Sequence, residues 1–132
     1  MSARATGTFT VAMKPLSDPD ETPGTKVGRL SLAKTFAGDL VATSTGEMLT
    51  AMTETKGSAG YVAIERVTGM LGGRAGSFVF QHSSVMDRGV PTQSIRVVPD
   101  SGSGELAGLA GSFVIEMVEK QHHYVFENTL PD

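Results

Sequence analysis

The chain has 132 residues, with 16 Gly, 7 Met and 6 Pro, no Cys, no Trp and a formal charge of −3. That length suits one domain over residues 1–132, with a core that buries roughly two-thirds of the unfolded surface. The absence of cysteine excludes disulfides, thiolate-held metals and thiol catalysis, and the acidic balance argues against nucleic acid as a partner. The longest aliphatic and aromatic run, residues 61–64, is too short for a membrane helix or a signal sequence. A soluble, cytoplasmic globular domain is expected, with no cofactor and no membrane partner.

In chain order, residues 6–13 are rich in β-branched side chains. Residues 14–25 then gather Pro15, Pro19 and Pro23 with Ser17, Asp18, Asp20 and Glu21, the composition of a loop. Residues 27–36 alternate Leu30, Leu32, Lys34 and Phe36 against Arg29, Ser31, Ala33 and Thr35, the period of a half-buried strand. Gly38-Asp39 marks a turn before residues 40–52, and residues 57–60 break the chain before 61–71. Further strand-like runs follow at 77–86, 92–98, 105–109, 112–118 and 122–130. Eight or nine such runs punctuated by Gly, Pro and Asp predict an all-β sandwich or barrel.

An internal repeat narrows the choice. The pattern G-x-L-x-G-x-A-G-S-F-V occurs at residues 69–79 and again at 104–114, and holds 7 of the 16 glycines. Glycines so placed predict a strand end, a corner and the start of the next strand. A helix through the second copy is disfavoured, because Gly108 and Gly111 would each cost about 1 kcal/mol within it. One short helical turn at 107–110 stays open.

Residues 56–69, Gly76-Ser77-Phe78 with Gln81-His82-Ser83, residues 97–111 and residues 38–49 together resemble a bacterial domain-of-unknown-function family with an allene-oxide-cyclase-like barrel. The resemblance runs from Ala5 to Leu130. It implies a single eight-stranded antiparallel β-barrel, calycin-like, with the Pro/Asp-rich loop near 14–25. It also implies a dimer or trimer, and it brings no established reaction, since fold does not fix function. The chain departs from the family at Asn128, where an aromatic such as Tyr is common, and at the polar doublet His122-His123.

Such a barrel is either filled by side chains or holds one small ligand. Arg66 points its face of 61–70 outward, which places Tyr61 and Glu65 inside and leaves Val62, Ile64 and Met70 for a homo-oligomer contact. Glu65 is then either a carboxyl whose pKa is raised by desolvation and which moves protons, or a permanently paired interior charge. His82, in phase with Phe78, Phe80 and Met86, is a candidate general base or a hydrogen-bonded core histidine. His122, Tyr124 and Phe126 share a face of the last strand and extend the candidate cavity. Lys34 either points inward toward a carboxylate or snorkels to water. Adjacent His122 and His123 face opposite sides and cannot chelate one ion, and no spaced motif supports the other conceivable set of His82, His122 and Glu65, so no metal is expected. The methionines read as core filler.

The expected function is that of a small-molecule-binding barrel for an apolar compound. It would be an isomerase or cyclase with Glu65, His82 and Tyr124 as acid/base residues, and with Tyr61, Phe78, Phe80, Met86, His122, Phe126 and Lys34 contacting the ligand. The alternatives are a non-catalytic carrier and a filled barrel that only assembles.

Overall fold

The computed structural model describes residues 2–131. These form nine strands: β1 (Ser2–Pro15), β2 (Thr25–Gly38), β3 (Leu40–Thr53), β4 (Ala59–Leu71), β5 (Arg74–Asp87), β6 (Val90–Val97), β7 (Ser103–Gly104), β8 (Ala110–Val118) and β9 (Gln121–Thr129). Eight of them pair antiparallel in the order β4-β3-β2-β1-β9-β8-β6-β5, and β4 also pairs with β5, so the sheet closes on itself. The expected eight-stranded barrel is observed, with two-residue β7 added alongside β5. The Pro/Asp-rich loop joins β1 to β2 and is tied by an Asp20–Val27 bridge. Among the described residues no helix is long and apolar enough to cross a membrane.

Most ladders are long, thirteen residue pairs between β4 and β5 for example. The β6–β8 ladder is a single pair, Arg96 with Ser112.

Turn chemistry explains most of the hairpins. Gly72 and Gly73, at φ +56° and +82°, form the two-residue corner between β4 and β5. The twist of the flanking strands favours this left-handed geometry, and glycine enters it without a Cβ clash. The β8–β9 corner uses the same conformation with Glu119 and Lys120, at φ +51° and +67°. Each non-glycine residue there costs about 1 kcal/mol. The double substitution Glu119→Asn, Lys120→Gly is therefore expected to stabilise the protein by about 1–2 kcal/mol. Calorimetry should show the Tm rising by roughly 3–8 °C.

The second repeat copy departs from the strand expected at 105–109. Its residues 105–108 form a turn, in which Leu106 N donates to Ser103 O (3.0 Å) and Leu109 N to Leu106 O (3.1 Å). Gly104 and Gly108, at φ +63° and +80°, bend the chain away from extended geometry. Leu106 and Leu109 are thereby turned down to plug one end of the barrel, and each is 1% exposed.

Along the barrel axis the interior divides into two halves. All six phenylalanines are buried. Phe78, Phe80, Phe113 and Phe126 stack on one another with Tyr124, Leu40, Val67 and the two plugging leucines, which makes this half solid. Beyond Phe9 and Phe113 the barrel is open. The methionines are not core filler: no described Met is buried, and Met13, Met48 and Met117 line the open half. Their long flexible chains follow the wall of this open half.

Candidate functional site

Four neighbouring strands each contribute one polar side chain to the boundary between the solid and open halves. Lys34 on β2 lies opposite Ser44 on β3, Gly46 on β3 opposite Glu65 on β4, and Ala63 on β4 opposite His82 on β5. Period-two alternation sends Lys34, Ser44, Glu65 and His82 inward together. Gly46 makes room for them. A Cβ at that position would press on the Ile64 carbonyl oxygen and stand 2.9 Å from the Glu65 Cβ.

Glu65 is 1% exposed. Its Oε1 accepts a hydrogen bond from Lys34 Nζ at 3.1 Å and lies 3.0 Å from His82 Nε2, while Oε2 accepts from Ser44 Oγ at 3.1 Å. The Lys34 ammonium also sits 4.9 Å from the centre of the Phe9 ring, a favourable cation–π placement. Burial works to neutralise Glu65. The hydrogen bond from His82 and the charge of Lys34 outweigh it and hold the carboxyl below its ordinary value. This reverses the raised pKa expected from desolvation alone, because the carboxylate is buried with its partners. Burial pushes the Lys34 amine below its ordinary value, against the opposing charge and hydrogen bond of Glu65.

These contacts fix the chemistry each group can offer. An ionised carboxylate only accepts hydrogen bonds, so the hydrogen shared with it belongs to His82 Nε2. Nδ1 is the ring nitrogen that Glu65 does not hold. Glu65 orients the ring and is not itself placed to meet a ligand.

The open half is a cavity of about 690 Å³. Leu30, Leu32, Met48, Ile115 and Met117 supply its apolar wall, and Lys34, Tyr61, His82, Gln93 and His122 supply its polar groups. Burial pushes the Tyr61 phenol up, Glu65 adding to this and hydrogen bonding with Gln93 and Ser84 opposing it, so the phenol stays protonated. His122 stacks on Phe9 at 4.8 Å.

The structure thus brings together Lys34, Tyr61, Glu65, His82 and His122 of the residues expected from sequence, and separates them from the others. Tyr124 belongs to the solid half. Its hydroxyl accepts from Leu40 N at 2.9 Å and donates to Ala37 O at 2.9 Å, pinning β9 to the β2–β3 corner. An acid/base role for Tyr124 is therefore corrected, since it has no access to the cavity or to the Glu65 cluster. Phe78, Phe80 and Phe126 are core rather than ligand contacts, each 1% exposed or less. Met86, 41% exposed near the end of β5, is outside the cavity wall. Asn128, at the plugged end, is buried with its Nδ2 donating to Phe126 O. Sequence reasoning missed Ser44 and Gln93. The inward series Ala42, Ser44, Gly46, Met48 carried the signal for Ser44, as a run of small residues facing the bulkier Lys34 and Glu65. Among the described residues no group of three His, Asp or Glu side chains is placed to hold a metal ion.

Residues 5–127 match the family described as "Protein of unknown function (DUF3224)". No curated protein matches the chain. A crystal structure of a protein with unknown function from the DUF3224 family of Shewanella oneidensis MR-1 is similar over 100% of this chain and 99% of that one, with 45% identity and a TM-score of 0.91. The match over residues 5–127 and the full-length likeness at 45% identity agree, and the chain belongs to the DUF3224 family.

Proposed function

We propose that this barrel binds one small, predominantly apolar molecule in its open half and acts on it by proton transfer, as an isomerase or cyclase. One observation carries the reading: a buried Lys34–Glu65–His82 cluster lies at the floor of a cavity whose wall is largely apolar. A purely structural ion pair has no need of a cavity beside it. The apolar wall excludes water while a few polar groups orient the ligand. Within that arrangement His82 is the proton-transfer group, Lys34 the electrostatic partner of an oxygen on the ligand, and Glu65 the positioning residue.

Native mass spectrometry of freshly purified protein tests the binding step, with one bound metabolite per barrel as the expected result. The released metabolite then tests turnover. His82→Gln is expected to lower conversion by about 10²–10⁴-fold while changing affinity only a few-fold. A ligand that binds and is never converted by the native protein would instead identify a carrier. Protein that binds no apolar compound at all would refute the reading. The proposal of a homo-oligomer rests on the outer face of β3 and β4, where Val41, Leu49, Val62, Ile64 and Met70 are 45–60% exposed. Light scattering reports the mass that decides it.

A further inference from the structure

We infer that the molecule acted on is a neutral, enolisable carbonyl compound, a ketone or aldehyde on an apolar body, whose oxygen meets Lys34 and whose adjacent carbon meets His82. This rests on the reading of the cavity as a ligand site and narrows it to a substrate class.

The charges at the cavity floor carry the argument. Lys34 from β2 is the one ammonium, and Glu65 from β4 already answers it at 3.1 Å. The other groups facing this space are Tyr61 on β4, His82 on β5, Gln93 on β6 and His122 on β9. A carboxylate head would place a second anion beside Glu65 at low dielectric, where repulsion and desolvation both oppose it. A plain hydrocarbon would bury the remaining ammonium N–H groups with no acceptor. A neutral carbonyl oxygen supplies that acceptor and adds no net charge. Its apolar body matches the wall formed by Leu30, Leu32, Met48 and Ile115.

The same placement completes a reaction. His82 Nδ1 takes a proton from the carbon next to the carbonyl. The electron pair of that C–H bond becomes a carbon–carbon double bond, and the carbonyl π pair moves onto oxygen. There an N–H of Lys34 meets the developing negative charge. The imidazolium that forms is stabilised by Glu65, which already accepts from Nε2 at 3.0 Å. Return of the proton from Nδ1 to a conjugated carbon on the same face restores the carbonyl with the carbon–carbon double bond moved, and return to the same carbon from a Nδ1 that has exchanged with solvent gives hydrogen exchange. No oxidant, reductant or co-substrate is consumed, as an isomerisation requires.

Three probes on the native protein test this, with binding followed by ligand-observed NMR and exchange by loss of the proton signal in D₂O: 2-octanone, octanoate and toluene. The expected result is that 2-octanone binds at least tenfold more tightly than octanoate, and that its α-hydrogens exchange at least tenfold faster than in buffer. His82→Gln should bind 2-octanone while returning exchange to the buffer rate. Octanoate binding as tightly as the ketone would overturn the substrate class, as would toluene or ketone binding without accelerated exchange. Both of those outcomes leave the cavity reading standing. If none of the three binds, the cavity reading falls and this inference with it. The order of binding is read on the unmodified chain, so the test stands even where His82→Gln fails to fold.

Discussion

Glu65→Gln is expected to destabilise the protein by about 3–5 kcal/mol, the usual consequence of removing one partner from a buried ion pair. The amide is nearly the same size as the carboxylate, so packing changes little. What changes is that Lys34, with a 4% exposed side chain, keeps its charge and loses its counter-ion. Denaturant titration measures the loss, and the double substitution Lys34→Met, Glu65→Gln should recover a large part of it. The single and double variants together separate the cost of an orphaned charge from the net contribution of the pair. The pH dependence follows from the same geometry. Glu65 has a folded-state pKa below its ordinary 4.5, so its contribution is complete above that pH and is lost as the pH falls toward the folded value. Lys34 acts in the same direction at alkaline pH: its folded-state pKa lies below the ordinary value, so the burial penalty on its charge is relieved, and stability rises, as the pH rises and the amine deprotonates. The native protein should therefore lose stability below about pH 4.5 more steeply than the double variant.

Phe126→Ala is expected to cost about 3–5 kcal/mol by a different route, as a cavity in a close-packed core. Phe126 is 0% exposed, and its ring lies 5.3 Å from Phe80 and 5.7 Å from Phe113. None of the cavity-lining polar groups touches it, so ligand affinity at a temperature where the variant is folded should stay within a few-fold of native. Isothermal titration beside thermal melts measures both quantities. Both parts of the interior thus carry stability, the solid half through packing and the boundary layer through a paired buried charge, while only the boundary layer faces the cavity. A large affinity loss in Phe126→Ala would show the two halves to be coupled.

Much of this was legible from residue patterns. Period two at 61–70, with Arg66 as the marker of the outer face, placed Tyr61 and Glu65 indoors, where the structure has them, while at 27–36 it left Lys34 either inward or snorkelling, and the structure turns it inward. Face assignment says which way a side chain points but not how far along the barrel axis it lies. That distance separates Tyr124 from Glu65, although both point inward. It depends on the stagger between strands, which a single strand's pattern does not encode. Phe78, Phe80 and Phe126 were misplaced for the same reason. The sign of the Glu65 shift was likewise hidden, because it depends on Lys34 and His82, two groups from other strands, converging on one oxygen. Residues 105–109 have no period of two, since Leu106 and Leu109 stand three apart, and the left-handed glycines at 104 and 108 complete the signal of a turn.

The ladder of one pair between β6 and β8 has a consequence for how the molecule behaves among its own copies. A closed barrel has no free sheet edges, but residues 90–95 of β6 pair only with β5, and residues 113–118 of β8 pair only with β9. Along this seam the barrel presents the open backbone of an edge strand, the template on which other chains can add. Pro91 stands within it. Having no N–H to donate, proline is tolerated in a sheet mainly at such an edge, and it interrupts the row of donors that a foreign strand would need. A residue that contributes little to the core, and that looks like a defect in a strand, thus serves as protection against edge-to-edge aggregation.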